Sequence, residues 1–546
     1  MRLVFRLFPL FCIMALITGG CMKRYDDEAA EAIGSMTIEQ KIGQMIMPAV
    51  PGQEINDEAA ELVKRYMPGG LILFGYNIDT GRKLKGFIEA LQGESMAASG
   101  VPLFVSVDQE GGRVRRIIDG VTQFPGNLAA GIAGDSDLVS DWARILGIQL
   151  RMLGVNMNLA PVVDVNNNPD NPVINSRSFG SDPRVVADMG AAYIRGLQKS
   201  GCIAVAKHFP GHGDTNRDSH VTLPVINYPM DRLRRVELYP FHRAIDEKVE
   251  CVMTAHISYP AVLGSGEPAT ISPRFLTGIL RDEIGFRGVV ITDDMEMNAM
   301  SQSMDMGEAA VRSVLAGTDI VLISTYGGNV PAIVNSLLAA VKSGRLPVER
   351  IDASVKRILE LKFRYRIADY REGRVHRSPQ FAADDAPGWL ARADEVNEKI
   401  SGGAVHFHGD RSLMAAPARI VLYTDNAALR EICASMTRPV QAKPLETFRA
   451  DIASGACAGI VACVHADGLD AKAMGELAAL ASGNGVALIA LSTGNPFPVA
   501  RSSAFGNMLF TFSNTETSLR RAAACLAGDF APKFTINCDL GIAARR

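Results

Sequence analysis

Cys202-Ile203-Ala204-Val205-Ala206 runs directly into Lys207-His208-Phe209-Pro210-Gly211-His212-Gly213-Asp214-Thr215. A short run of small and β-branched apolar residues suits a strand buried on both faces, and the abrupt change to Gly, Pro and charge marks a loop. The pattern recurs between Thr37 and Tyr365, where the apolar runs are Ile42–Met47, Gly70–Phe74, Leu103–Val107, Asn156–Val165, Ile203–His208, Cys251–His256, Gly288–Asp293 and Ile320–Ser324. Amphipathic helical stretches separate them. Eight such runs predict an α/β protein built on a (β/α)8 TIM-type barrel. A doubly wound open sheet is the alternative, but no Gly-x-Gly-x-x-Gly turn opens a helix after the early strands.

The barrel is expected over residues 22–369. A polar, Pro-containing stretch and a charged helix at Leu390–Ile400 form a linker over 370–400. Residues 401–546 hold five more apolar runs, Ala404–Phe407, Arg419–Tyr423, Gly459–Val464, Val486–Leu491 and Met508–Phe512, with Ala-rich helices between them. These predict a smaller three-layer α/β sandwich domain. A chain of 546 residues exceeds one ordinary core, so a second domain is expected from length alone.

Residues 1–21 differ from the rest. Arg2 and Arg6 precede an apolar run from Leu7 to Ile17, followed by Thr18-Gly19-Gly20-Cys21. This reads as a secretory signal too short to span a membrane as a mature helix. Its end resembles a bacterial lipoprotein box, with Thr18 where Leu is usual, so the body is expected to be exported with a lipid anchor at Cys21. Seven cysteines follow Cys21, widely spaced and with no Cys-x-x-Cys pair, and show neither a zinc spacing nor a disulfide framework. A net charge of -3 without long basic runs speaks against nucleic acid and anionic membrane surfaces, and is compatible with a neutral, hydroxyl-rich ligand.

In a barrel of this kind chemistry sits where strands end. The 207–220 segment carries His208, His212, His220, Lys207, Asp214 and Asp218 among Gly and Pro, a composition that is a site rather than a packed element. A metal held by His208, His212, Asp214 and His220 competes with an acid/base reading. The seventh run ends in Asp293-Asp294. Strand alternation sends these two to opposite faces, leaving one as a first carboxylate and the other to cap or orient the next helix. The third run ends in Asp108-Gln109-Glu110-Gly111-Gly112-Arg113, with Arg116 nearby, and Arg177 follows the fourth. Such arginines suit a bidentate grip on sugar oxygens.

Together, Asp108-Gln109-Glu110-Gly111-Gly112-Arg113, Arg177-Ser178-Phe179-Gly180, the Lys207–Thr215 loop, Asp218-Ser219-His220 and Thr292-Asp293-Asp294 resemble family 3 glycoside hydrolases, and more narrowly their β-N-acetylglucosaminidase (β-hexosaminidase) branch. The resemblance covers about Ile33 to Phe363. It implies hydrolysis of terminal β-linked N-acetylglucosamine, with Asp293 as nucleophile, His220 as general acid/base and Asp218 orienting His220. Asp108, Arg116, Arg177, Lys207 and His208 would hold the sugar ring. No cofactor or metal is implied, and the partner is a carbohydrate from cell-wall recycling or chitin breakdown. A β-glucosidase or β-xylosidase of the same family, a substrate-assisted hexosaminidase using the Asp293-Asp294 pair, and a metal-dependent barrel hydrolase are the competing readings.

Overall fold

A computed structural model describes residues 27–533 apart from 303, 327, 368–385, 416–419, 437–439 and 459. The expected signal with Cys21 and the first part of the expected linker lie outside the described residues.

Eight strands form the first sheet system: β1 (Ile46–Pro48), β2 (Gly70–Leu73), β3 (Phe104–Val107), β4 (Met157–Asn158), β5 (Ile203–Phe209), β6 (Cys251–Thr254), β7 (Val289–Ile291) and β8 (Val321–Ile323). β2 to β7 pair in chain order, all parallel, and β1 pairs with β8. Bridges Ala49↔Ile72 and Ile291↔Ile320 join the two groups and close the ring. The barrel is therefore a β/α barrel whose strands are buried along their length.

Two of the sequence-derived runs are shorter or later than expected. The first half of Ile42–Met47 belongs to a helix, Ile38–Gln44, which starts at a reciprocal cap between Thr37 and Gln40; β1 begins only at Ile46. The Thr37–Gln40 spacing fixes the start, because the hydroxyl accepts from the Gln40 N–H while the Gln40 side chain accepts from the Thr37 N–H. The long run Asn156–Val165 yields only a two-residue strand. Pro161 lacks an N–H to donate to the ladder, and pairing resumes at a bridge between Val162 and Lys207.

The second sheet has the order β11-β10-β12-β13-β14-β9, where β9 is His406–His408, β10 Ile420–Tyr423, β11 Gln441–Lys443, β12 Val461–His465, β13 Ala487–Ser492 and β14 Met508–Phe510. β9 alone runs antiparallel, against β14. The short, half-exposed β11 was not among the apolar runs. Helices such as Ala471–Gly483 and Glu516–Leu526 bury apolar faces and complete an α/β layering.

The two sheet systems share apolar surface. Leu128, Ala129 and Ile132, from helix Asn127–Ala133 of the barrel side, cluster with Phe497, Met508, Phe510 and Phe512. The helix Ala393–Gly403 places Val396 and Ile400 in the barrel's own cluster. Arg144 lies 4.3 Å over the Trp389 ring, and Arg501 pairs with Asp170 across the junction. The barrel mouth thus opens beside the second sheet.

Candidate active site

The end of β5 is the densest point of charge. Lys207 Nζ lies 2.6 Å from Asp108 Oδ1 and 2.7 Å from Glu110 Oε1. Arg177 grips the same Glu110 with two bonds, Nε to Oε2 at 2.9 Å and Nη2 to Oε1 at 2.8 Å. Two cations and two carboxylates are thereby chained together in a nearly dry place. Burial works to raise the Glu110 carboxyl, but Arg177 and Lys207 outweigh it and hold it far below the usual carboxylate range. Burial works against the Lys207 ammonium, and Asp108 and Glu110 overcome it, so Lys207 stays charged.

His208 is held on both sides. Its Nδ1 is 2.7 Å from Asp164 Oδ2, and Arg177 Nη2 is 3.4 Å from its Nε2. Asp164, fully buried, also accepts from the backbone N–H of His212 at 2.7 Å. An aspartate on Nδ1 fixes ring orientation and places the other nitrogen toward the hollow.

At the end of β7 the Asp293 carboxylate accepts from the Asp294 N–H at 2.8 Å. Burial pushes its pKa up, yet His208, His256, the Asp294 N–H and Lys207 together bring it below the ordinary aspartate value. Asp293 is therefore an anion at neutral pH. Asp294 does not cap the next helix as the sequence suggested: that helix, Asn298–Ser301, has no side-chain cap. The Asp294 carboxylate accepts instead from Ser324 N at 3.0 Å, Ser324 Oγ at 2.6 Å and Glu296 N at 3.1 Å, tying the end of β7 to the end of β8. Burial pushes its pKa up to about 6. His256, buried at the end of β6, bonds Thr270 Oγ1 at 2.8 Å and the Asp294 carbonyl at 2.9 Å, bracing the same corner.

The loop after β5 brings a second histidine to the rim. His220 Nδ1 and its backbone N–H both lie close to Asp218 Oδ1, at 2.7 and 2.8 Å. The pair is open to solvent, with His220 63% and Asp218 37% exposed in their side chains. His212 and Asp214 are turned to other tasks: His212 bonds Ser219 Oγ at 2.9 Å and is pushed down to about 4 chiefly by burial, while Asp214 faces Arg232 and Asn167. The candidate ligands are thus each engaged by protein partners, and among the described residues no group of three or more His, Cys, Asp and Glu is placed to hold an ion.

All eight residues singled out in the sequence, Asp108, Arg116, Arg177, Lys207, His208, Asp218, His220 and Asp293, line one cavity of about 430 Å³ at the barrel mouth. That is within the range of small-molecule sites. Asp294 lines it too, so the two adjacent aspartates share one hollow rather than opposite faces. The alternation argument fails because β7 ends at Ile291, leaving both aspartates in irregular backbone. The Arg116 Nε is buried without a partner. Sequence reasoning did not assign Glu110, Asp164 or His256. Asp164 was detectable as the one carboxylate inside the apolar run Asn156–Val165, and His256 as the polar residue ending the sixth run.

A closed parallel barrel that gathers carboxylates, histidines and cations at the carboxyl ends of its strands has the layout of a barrel enzyme. The profile of the glycosyl hydrolase family 3 N-terminal domain matches residues 37–361, and the chain belongs to that family. It is 39% identical over 335 residues to β-hexosaminidase LpqI of Mycobacterium tuberculosis, covering 59% of this chain and 82% of that one. Against β-hexosaminidase A of Pseudoalteromonas piscicida it is 38% identical over 328 residues, and the match spans 56% of this chain and 55%, about half, of that relative. The fold is also similar to a solved family 3 β-N-acetylglucosaminidase from Paenibacillus sp. str. FPU-7, with a TM-score of 0.83 and 36% identity over 93% of this chain and all of that one.

Proposed function

We propose that this chain is a retaining, exo-acting β-N-acetylglucosaminidase that removes terminal β-linked N-acetylglucosamine from peptidoglycan fragments or chito-oligosaccharides. One observation carries the reading: an ionised aspartate, Asp293, and an aspartate-bonded histidine, His220, line the same sugar-sized hollow. The relatives named as β-hexosaminidases and the β-N-acetylglucosaminidase of similar fold support it.

In the first step the Asp293 carboxylate attacks the anomeric carbon. His220 donates its proton to the glycosidic oxygen, and the aglycone leaves as an alcohol. In the second step neutral His220 takes a proton from water, the hydroxide oxygen bonds the anomeric carbon, and the Asp293 carboxylate departs. Asp218 holds the imidazole by Nδ1, leaving Nε2 to move the proton. Asp108, Arg177, Lys207 and His208 supply fixed donors and acceptors for ring hydroxyls and the acetamido group, and Arg116 has an unpaired Nε to offer. The Asp294 carboxylate is already bonded by Ser324 and Glu296, which counts against a substrate-assisted route through the aspartate pair. Export over residues 1–21 with acylation at Cys21 is part of the proposal and rests on the sequence.

Incubation with a fluorinated N-acetylglucosaminyl donor that forms but slowly releases the glycosyl-enzyme, followed by peptide mapping, tests the assignment. The expected label lies on Asp293. Label on another residue, or hydrolysis of a nitrophenyl glucoside in preference to the N-acetylglucosaminide, would reject it.

A further inference from the structure

Along the loop that carries Asp218 and His220, one side chain faces inward. Residues 216–223 are exposed or partly exposed except Ser219, which is 1% exposed although it stands between the two members of that pair. A loop held only at its ends has no reason to desolvate a hydroxyl in its middle, so burial at this one residue marks a docking point. The buried hydroxyl has its partner in His212, whose Nε2 lies 2.9 Å from Ser219 Oγ.

His212 belongs to the fixed base of the same loop. Its backbone N–H donates to Asp164 Oδ1 at 2.7 Å, and its carbonyl accepts from Asn171 Nδ2 at 2.8 Å. The Gly213 carbonyl accepts from the same amide at 2.9 Å, and Gly213 has no room for a Cβ against the Val165 carbonyl. The ring is buried, and burial pushes its pKa down to about 4, so at neutral pH it is uncharged and offers one donor and one acceptor nitrogen. Both nitrogens face hydroxyls of the loop. Thr215 Oγ1, just before the exposed stretch, stands 3.3 Å from Nδ1, and Ser219 Oγ, within that stretch, takes Nε2.

The docking point is also tied to the strand end that bears Asp293. The Ser219 carbonyl accepts from the Ala299 N–H at 3.3 Å, in the short helix Asn298–Ser301 that follows the aspartate pair. His212, Ser219, Asp218, His220 and Asp293 all line the one cavity. Asp218 and His220 are each a single Cα–Cα step of about 3.8 Å from Ser219, so the pinned serine fixes where both of them stand.

We infer that Ser219 and His212 are positioning residues for proton transfer: their hydrogen bond docks the loop so that His220 stands at the glycosidic oxygen opposite Asp293. The inference rests on the function proposed above. It explains how an acid/base group open to water keeps a defined place, since the residue beside it is the one that is buried.

Two substrates that differ in their need for a proton separate positioning from folding. kcat/KM covers the steps up to departure of the aglycone, so it reports protonation of the leaving group and not the later attack by water. In the full chain, Ser219→Ala should lower kcat/KM on diacetylchitobiose, whose leaving sugar needs a proton, about 10-fold, the size of one buried hydrogen bond. On a dinitrophenyl N-acetylglucosaminide, whose phenolate leaves unaided, the loss should be about twofold or less. Ser219→Thr, which keeps the hydroxyl, should recover most of the rate on the disaccharide. Adding Ser219→Ala to His212→Phe should lower that rate by no more than about twofold further, because the bond is already gone. Equal losses on the two substrates would overturn the inference, since a fold defect acts on both. So would an unchanged rate on the disaccharide, a Ser219→Thr variant as slow as Ser219→Ala, or losses at the two positions that simply multiply. If the parent protein hydrolyses neither substrate, the function reading itself fails, and that result is distinct from the others.

Discussion

The cluster at the ends of β3 and β5 and the loop that follows β5 lie around the same hollow but are built on opposite terms. In the cluster, Glu110, Asp164, Lys207 and His208 are almost wholly buried, and each is bonded by two or more partners. On the loop, His220 stands in solvent, bonded to Asp218. Groups that hold a ring need fixed geometry and low dielectric, where each charge acts strongly and does not reorganise. A group that gives up and regains a proton within one turnover needs exchange with water. Under the proposed mechanism, the buried cluster meets the first need and the exposed loop the second.

Removing the carboxylate from the buried cluster should give the largest effect. Glu110→Ala would leave Lys207 and Arg177 facing each other without their shared anion, a change expected to cost about 3–5 kcal/mol of stability in urea unfolding. The matching loop variant, Asp218→Ala, should cost under about 1 kcal/mol, as exposed pairs do. Similar losses in the two would erase the contrast. Next comes His220→Ala, expected to lower kcat about 10²–10⁴-fold on a disaccharide, whose leaving group needs a proton, and to have far less effect on a dinitrophenyl glycoside. Equal losses on both substrates would show that the imidazole only shapes the loop.

The smallest effect concerns Asp294. Its folded pKa of about 6 lies above the ordinary value of 3.8, so the folded chain holds a proton that the unfolded chain releases between those values. This group's contribution to stability is therefore full below about pH 4 and falls as pH rises through 6. Asp294→Asn removes that titration. Tm measured from pH 4 to 7 should show the parent losing a few degrees relative to the variant as pH rises, and parallel curves would contradict the assignment.

The strand ends were legible because burial on both faces leaves runs of Val, Ile and Leu that break sharply at polar residues. The eight residues that the family resemblance picked at or after those ends line one cavity. What escaped notice was set by groups that act at a distance in sequence. Ile42–Met47 reads as apolar in either state, and only the Thr37–Gln40 cap decides for helix. Asp164 is the one carboxylate of its apolar run, but its task was not legible there because its partners, His208 and His212, arrive from 44 and 48 residues away. The Asp293-Asp294 alternation presupposed a strand that had already ended. β11 is too short and too exposed to leave an apolar signature.

Leu128, Ala129 and Ile132 sit in the same dry cluster as Phe510 and Phe512, so the seam between barrel and sandwich is welded rather than hinged. Proteins whose halves meet through water and polar side chains can open and shut like a jaw, but a seam of this kind resists such rotation. Traffic into and out of the mouth must then be governed by segments of a few residues moving locally, while the two large bodies travel together.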